Sequence, residues 1–560
     1  MSMPEFPCAV PFVVAVSGHR DLHPDDVQDA GERVFAALRM VADALPHSAL
    51  EFLTPLADGA DQLFAAQVLR LRAASPAPER IRLLVPLPMP LDAYCAEQGG
   101  ADRAGFEARI APYLAAAADV FAIPHIELDA ASEAALTPSN APYARLARYL
   151  AIHAGVVVVV WDGRDEPVKP GGTLDLVNAR TRGFRRGSDG ASAARLAEPE
   201  QGCVLHVMSR RGSDTAAESP AGAPLMMLGG DFRVVGAEID DLNRRHRAAL
   251  AGGVADYAAR VDRARAGFQR FPGAGALATA FGIADVLAED AKRTWRRGWI
   301  AIALAAVLAA SSSLLRLLDD EHGELIETAS YGAGAVLAVG IYFWVARSGQ
   351  RNAYLACRAL AEGLRVQIYW MASGSSALVS DHYLLKQRED MGWVRRALDA
   401  LTVRPALQGA APAAVARAWI DDQLAYLEGP NIERRRVAQR RAEARGQWLL
   451  AGGLVCALAG LAVLAHGGMR TSLLMVMLIV AMKLLTDTGA AWLSFNGKMA
   501  HAETLRQAAH LRGVYQRADQ ELKAGADAAE LLAALGKEVL DENANWLRLY
   551  LERQLSWHGK

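Results

Sequence analysis

Cysteine, metal-binding clusters and net charge are all scarce in this chain. Its 560 residues hold five cysteines, Cys8, Cys95, Cys203, Cys357 and Cys456, odd in number and far apart. No Cys-x-x-Cys pair or Cys/His cluster occurs, which excludes a disulfide framework and a structural zinc site and fits a reducing compartment. The 13 histidines are scattered and no His-Glu-x-x-His helix is present, so no metal ligand is assigned. A phosphate loop ending in Gly-Lys-Ser/Thr is missing, which disfavours an ATP-driven transporter. Ser17 has no Gly-x-Ser-x-Gly elbow around it, and no catalytic residue is assigned. Lys and Arg number 60 against 62 Asp and Glu, a net charge of −2. Non-specific nucleic-acid binding needs a surplus of cations to neutralise phosphates, so no nucleic-acid partner is expected.

What the chain has instead is apolar surface. Apolar residues make up 52% and charged residues 22%, too apolar for disorder. The mean hydropathy of +0.10 points to membrane segments. Four runs carry the excess: Trp299–Leu315, Ala329–Ala346, Trp448–Ala465 and Thr471–Trp492, the last interrupted by Lys483 and Asp487. Crossing a bilayer takes roughly 17–25 apolar residues, which all four approach or meet. Their flanks agree on one orientation. Lys292, Arg293, Arg296 and Arg297 precede the first run; Arg347, Arg351 and Arg358 follow the second. Arg434, Arg435, Arg436, Arg440, Arg441 and Arg445 precede the third; Lys498, Arg506 and Arg512 follow the fourth. The connector between the first two runs holds Asp319, Asp320, Glu321, Glu324 and Glu327 and neither Lys nor Arg. The positive-inside rule then predicts four spans, with both termini and residues 347–446 cytoplasmic. The opening residues have no basic n-region and read as a strand rather than a signal peptide, so the N-terminal domain is expected to stay in the cytoplasm.

Before the membrane runs the pattern is α/β. Residues 10–18, 52–56, 81–87, 120–123, 156–161 and 203–208 read as strands. Residues 25–45, 101–118 and 141–154, and a segment from Ala60 through Leu71, read as helices. Val156–Trp161 is a continuous β-branched run closed by Trp, as in a parallel strand buried on both faces. Alternating strands and helices predict a Rossmann-like, doubly wound parallel sheet. Stretches 178–200 and 210–224, rich in Gly, Ser, Arg and Ala, read as loops, and everything from about 238 as helical. The expected divisions are a nucleotide-binding domain at 1–235, a first membrane hairpin with flanking helices at 236–370, a cytoplasmic helical region at 371–446, and a second hairpin with C-terminal helices at 447–560. The hairpins look like a duplicated unit: Ala361-Glu362-Gly363-Leu364-Arg365 after the first is echoed by Ala508-Ala509-His510-Leu511-Arg512 after the second.

Four loops at the carboxyl ends of expected strands form the candidate ligand site: Ser17-Gly18-His19-Arg20, Asp58-Gly59-Ala60-Asp61, Asp162-Gly163 and Pro170-Gly171-Gly172-Thr173. Open α/β sheets bind ligands at that edge. Glycines let backbone amides approach a phosphate, helix N-termini favour anions, Arg20 suits a phosphate, and Asp58 or Asp162 suits ribose hydroxyls. The same glycines also suit ordinary strand-to-helix turns.

These motifs resemble the SLOG superfamily, which joins DNA-processing protein A, the Lonely-Guy phosphoribohydrolases and nucleotide-sensing domains of bacterial conflict systems. The resemblance covers about residues 10–210 and implies a nucleotide-derived ligand. Lonely-Guy enzymes carry Pro-Gly-Gly-x-Gly-Thr-x-x-Glu with a catalytic Glu. Here the stretch is Pro170-Gly171-Gly172-Thr173-Leu174-Asp175-Leu176-Val177, which lacks that Glu and favours binding without turnover, with Asp175 as the one available substitute. The remainder is similar to the SLATT group of membrane effectors, through Ala284-Asp285, Ala288 and Ala291-Lys292 before the first run and Arg358–Gln367 after the second. That resemblance implies pore formation or membrane disruption after a nucleotide signal, in antiphage defence, by a homo-oligomer in the lipid bilayer. Within the fourth run Lys483 and Asp487 share one helical face and mark either an ion path or subunit contact, or a snorkelling pair at the inner interface. Two rivals stand beside this expectation: a membrane-anchored nucleotide-cleaving enzyme, and a transporter or constitutive channel with a regulatory α/β domain.

Overall fold

The computed structural model describes residues 7–128, 130–164, 168–184, 201–214, 221–252, 256–312, 323–404, 409–466, 473–498 and 501–552. They group into two units. The first takes Met1–Val286, Ala359–Pro412 and Asn543–Lys560; the second takes Leu287–Arg358 and Ala413–Glu542. The α/β unit therefore includes residues 236–286 and 359–412, which the expected divisions place with the flanking helices of the first hairpin and in the cytoplasmic helical region.

The first unit is built on a seven-stranded sheet in the order β4-β3-β2-β1-β5-β6-β7. Its strands are β1 (Phe12–Gly18), β2 (Leu50–Leu53), β3 (Ile81–Leu87), β4 (Asp119–Ala122), β5 (Val156–Trp161), β6 (Cys203–Met208) and β7 (Met226–Gly229). All pairs are parallel except β6–β7. The antiparallel edge strand β7 has no signature in the sequence pattern. β2 ends at Leu53 rather than at Leu56, because Pro55 has no N–H for the ladder and Leu56 takes φ +62°. Every residue of β5 is buried, as its valine run requires.

Helices α1 (Val27–Ala44) and α2 (Ala60–Ala74) follow β1 and β2. α3 (Leu91–Gly99) and α4 (Arg103–Ala116) follow β3, α5 (Ala141–His153) precedes β5, and α6 (Thr173–Thr181) follows it. The last turn of α6 takes the first residues of the stretch expected as a loop from 178, and residues 185–200 of that stretch lie outside the described part. Strand order runs one way from β1 to β4 and the other way from β5 onward. Right-handed crossovers therefore place α1 and α2 on one face and α5 and α6 on the other. The reversal falls between β1 and β5, paired from Val14↔Val156 to Gly18↔Val160. α7 (Phe232–Ala251) packs on the far ends of β1 and α1: the buried Asn243 accepts from the Ala9 and Val10 amides and donates to Val10 O.

Helices continue to the end of the described chain: α8 (Tyr257–Arg265), α9 (Gly275–Ser311), α10 (Gly323–Arg347), α11 (Gln350–Ala372), α12 (Arg388–Leu401), α13 (Pro412–Leu427), α14 (Pro430–Ala465), α15 (Leu473–Lys498), α16 (His501–Lys523) and α17 (Ala528–Glu552). Among the described residues, three helical stretches are long and apolar enough to cross a membrane, and they correspond to α10, α14 and α15. The first apolar run is not among them. It lies at the end of α9, and its last residues, from 313, fall outside the described part, as do Asp319, Asp320 and Glu321 of the acidic connector. Leu304 and Leu308 in α9, Val336, Leu337 and Trp344 in α10, and Leu454, Val455 and Leu458 in α14 are all exposed. That is an apolar surface of the kind a bilayer covers.

The two hairpins of the second unit are built alike. Gly298 of α9 faces Val345 of α10 so closely that a Cβ would lie 2.4 Å from the valine Cγ2. Gly446 of α14 faces Leu493 of α15 in the same way, with 2.6 Å to the leucine Cδ2. Residue 446 is 148 beyond 298, and 493 is 148 beyond 345. The same step relates Arg297 to Arg445, Trp344 to Trp492 and Gly349 to Gly497. The repeat suggested by the post-membrane helices is thus echoed by the contacts within each hairpin. Small residues on these seams let the helices approach closely. Trp295 and Val345 form a buried cluster with Trp299, Ile302, Ile341 and Phe495, so α9, α10 and α15 share apolar packing. Lys483 and Asp487 both fall on α15 and are half-buried, and Asp487 Oδ2 has no hydrogen-bond partner among the described residues.

Candidate ligand-binding site

At the reversal of strand order the first unit holds a cavity of about 200 Å³. Its walls come from the end of β1 and the following loop (Val16, Ser17, Gly18, Arg20), the loop after β2 and the start of α2 (Pro55, Ala57, Asp58, Asp61), α3 (Tyr94), α5 (Tyr143, Leu146, Ala147, Leu150) and the start of α6 (Gly171, Gly172, Thr173, Leu176). Three of the four expected loops therefore meet in one place. Open α/β sheets form their crevice at this point because the connections on either side diverge.

The glycines of the first two loops act on the backbone. A Cβ on Gly18 would lie 2.4 Å from Ala60 Cβ and 2.5 Å from Val160 O. Gly59 has φ +81°, and its Cβ would lie 2.4 Å from the carbonyl oxygens of both His19 and Arg20. With no side chain there, the Ala60 amide donates to His19 O at 3.0 Å and the first turn of α2 closes on the β1 loop. Gly59 and Ala60 shape the cavity from behind and are not among its lining residues.

His19, Asp162 and Gly163 also lie outside the lining. The Asp162 amide and Arg211 Nε both donate to His19 Nε2, each at 3.3 Å. Burial, with Arg211 second, lowers the His19 pKa against the opposing Asp162, whose Oδ1 lies 3.2 Å from Nε2. The imidazole is accordingly neutral at pH 7. Arg211 Nε also donates to Asp162 Oδ2 at 3.0 Å. Burial raises the Asp162 pKa, but the Arg164 amide, His19 and Arg211 outweigh it and hold the carboxyl below its usual range. This cluster ties the loops after β1, β5 and β6 together.

Within the cavity the polar groups divide by sign. Arg20 is exposed, stands 5.4 Å from the centre of the Tyr143 ring, and makes no hydrogen bond or ion pair with the described residues. α6 begins at the same wall, and no acceptor among the described residues meets the amides of Thr173 and Leu174 in its first turn. Ser17 Oγ donates to Thr173 Oγ1 at 3.4 Å. On the acidic side, Asp61 is 7% exposed and accepts from the Ala57 amide at 3.2 Å. Burial pushes its carboxyl up to about 7, against the Ala57 amide and Arg20. Asp58 is held by Arg109 through Nε and Nη2, each at 3.2 Å, and by Gln62 at 2.8 Å. Asp175 accepts from the Gly171 amide at 2.9 Å and does not line the cavity.

The aromatic wall was not legible in the motifs. Tyr94 is 1% exposed, and its hydroxyl has no hydrogen-bond partner among the described residues. Burial raises the phenol pKa above its usual value. Tyr143 donates to Glu97 Oε1 at 2.7 Å and accepts from Gln98 Nε2 at 2.6 Å. The signal for Tyr94 is the proline-punctuated start of α3 at Pro90-Leu91, which opens a helix directly after β3. Among the described residues no group of three or more His, Cys, Asp or Glu is placed to hold a metal ion. The arrangement suits a ligand with an anionic end, at Arg20 and α6, and hydroxyl or amine donors facing Asp61 and Asp58.

No protein-family model, curated protein or solved structure matches the chain.

Proposed function

We propose that the α/β unit binds a nucleotide-derived small molecule and that this binding controls a membrane-embedded effector formed by the helical hairpins. The observation that carries the reading is the cavity at the strand-order reversal, where Arg20 and the open first turn of α6 face two carboxylates and two tyrosines. The anionic end of a nucleotide fits the first pair by charge. Ribose or base donors fit the second. The cavity is smaller than the roughly 300–1,000 Å³ of typical small-molecule sites. Its size suits a single nucleoside phosphate with part of the ligand at the mouth, rather than an enclosed dinucleotide.

The resemblance to SLOG sensors and SLATT effectors supports the same assignment, and with it an oligomeric pore or membrane-disrupting assembly in antiphage defence. The proposed setting is a bacterial inner membrane, four spans, both termini cytoplasmic. A ligand shifts such an assembly only by binding one state better than the other. Binding without turnover is favoured over cleavage because Asp175, the one acid near the missing Glu position, is occupied with the Gly171 amide.

The test uses the full chain in detergent, incubated with nucleoside monophosphates, cyclic nucleotides and NAD-derived compounds, with mass spectrometry reading retained and altered ligand together. Retention of an intact nucleotide by the wild type, reduced at least ten-fold in Arg20→Ala, is the expected result. A charge-assisted hydrogen bond contributes about 1.5–3 kcal/mol, which sets that factor. Cleavage of a nucleotide refutes the sensor reading in favour of a membrane-anchored enzyme. Ion flux through reconstituted chain without any nucleotide refutes ligand control.

A further inference from the structure

The cavity of the α/β unit has an exposed rim and a buried interior, and the two differ in chemistry. At the rim, Arg20 is exposed and the Asp58 side chain, 42% exposed, is engaged by Arg109. The interior is walled by the buried side chains of Val16, Leu146, Leu150 and Leu176. Two polar side chains interrupt these apolar walls, Asp61 at 7% and Tyr94 at 1% exposure. The Ala57 amide donates to Asp61 Oδ2 at 3.2 Å, while Asp61 Oδ1 and the Tyr94 hydroxyl have no hydrogen-bond partner among the described residues. Buried polar groups are ordinarily hydrogen-bonded, and one left without a partner is costly. The two groups also differ in kind. A carboxylate oxygen only accepts, whereas a phenol hydroxyl can donate. This pattern discriminates between the parts of a nucleoside phosphate. Phosphate in the interior would face the Asp61 carboxylate, and ribose would turn several hydroxyls against valine and leucine. A planar heteroaromatic ring presents apolar faces to those walls and keeps its polar atoms at its edge.

We propose that the interior is a nucleobase subsite, in which the base donates an N–H to Asp61 Oδ1 and accepts from the Tyr94 hydroxyl. The subsite rests on the nucleotide reading and fixes the ligand's orientation: base inward, phosphate outward at Arg20 and the first turn of α6. The chemical class it takes is a base with an N–H donor beside an acceptor on its edge. A ring whose edge carries acceptors alone sets a lone pair against the carboxylate and leaves Oδ1 unpaired in a buried place, the situation by which a site built for a hydrogen bond rejects an analogue that lacks it.

Native mass spectrometry of the full chain in detergent at pH 8 tests this. The probes are the four common ribonucleoside 5′-monophosphates; purine riboside and 2-pyrimidinone riboside 5′-monophosphates, which keep the ring but carry no N–H on that edge; and ribose 5-phosphate, which has no base. A hydrogen bond to a charged group sets the scale, so the best-retained natural nucleotide should exceed its N–H-free analogue by about ten-fold. Ribose 5-phosphate should be retained less than either. Asp61→Ala should bring the ratio of nucleotide to analogue close to one. Tyr94→Phe should weaken nucleotides and analogues alike, by about five-fold for one neutral hydrogen bond, and leave ribose 5-phosphate unchanged. Arg20→Ala should weaken all three kinds of probe and preserve the ratio. Equal retention of nucleotides and their analogues by the unaltered chain overturns the subsite with no variant needed, and the nucleotide reading survives that outcome. Ribose 5-phosphate retained as well as the nucleotides overturns the inward placement of the base. Retention of none of these phosphates overturns the nucleotide reading and the subsite with it.

Discussion

Asp61→Asn should raise the stability of the α/β unit at pH 8 and leave it unchanged at pH 4. In the folded chain burial pushes the Asp61 carboxyl up to about 7 from an ordinary value of 3.8. An acid with a raised folded pKa binds more protons folded than unfolded between those two values, so stability falls as pH rises from about 4 to about 7. The shift of about three pH units, at 1.36 kcal/mol each, corresponds to about 4 kcal/mol at pH 8. Asn removes the charge and keeps an oxygen to accept from the Ala57 amide, which donates to Asp61 at 3.2 Å. Relaxation and water entry through the cavity mouth reduce the gain, so about 1–3 kcal/mol is the expected observable. Thermal unfolding of wild type and variant in the same detergent, from pH 4 to pH 8.5, measures it. The two curves should converge at acid pH and separate above pH 6. A variant less stable than wild type at pH 8, or a difference independent of pH, would refute the reasoning that Asp61 is a buried charge held at the site against its solvation. Under the proposed function, the same variant should also bind a nucleotide more weakly.

Three further outcomes follow from close contacts and buried charge. Gly18→Val places a branched side chain against the Val160 carbonyl, 2.5 Å from the Cβ position, and backbone cannot yield as a flexible side chain would; a loss of about 1–3 kcal/mol should appear as a lowered unfolding midpoint. In Gly453→Leu the Cβ position is 2.5 Å from Thr486 Cγ2, so the α14–α15 hairpin should open, and a disulfide engineered across the seam should form more slowly than in the parent. Arg404→Ala leaves Glu51, 1% exposed, without the guanidinium that donates to it at 3.1 and 3.2 Å, while Arg82 stays 3.8 Å away. Arg404 is partly exposed, so the expected loss is about 1–2 kcal/mol, with faster hydrogen exchange in the segment 388–404. Unchanged exchange there would show that the segment holds to the sheet without this contact.

The sheet was legible because its strands carry strong periodicity. Val156–Trp161 and Cys203–Met208 fall at the observed boundaries of β5 and β6, and Ile81–Leu87 at those of β3. β7 was not legible, since Met226–Gly229 is largely exposed and gains its pairing only from β6. Three of the four glycine loops reach the cavity, because strand ends and glycines are local signals. The fourth, Asp162-Gly163, fell on the other side of the β1 loop with His19, and only the three-dimensional pairing with Arg211 reveals why. Tyr94 and Tyr143 stand 49 residues apart, from position 94 to 143, on helices whose faces converge at the cavity. No motif spacing encodes that convergence.

Helix α5 shows why the segment after the first hairpin belongs to the α/β unit. Tyr143, Leu146, Ala147 and Leu150 face the cavity. The opposite side of the same helix is bonded to residues in and near α12: His153 Nδ1 lies 2.7 Å from Asp399 O, Arg396 Nη1 donates to Ile152 O at 3.2 Å, and the Tyr149 hydroxyl donates to Val403 O. Arg404 then reaches Glu51 of β2 and Asp119 of β4. On the proposed function, a ligand that pulls on the Tyr143 end of α5 would act on an element whose other side holds the chain between α11 and α13. Packed helices shift as units rather than bending residue by residue, so a displacement at the cavity is expected to move α5 as a whole. The decisive quantity is whether exchange at 388–404 slows when nucleotide is added, and whether the Arg404→Ala chain loses that response while still binding.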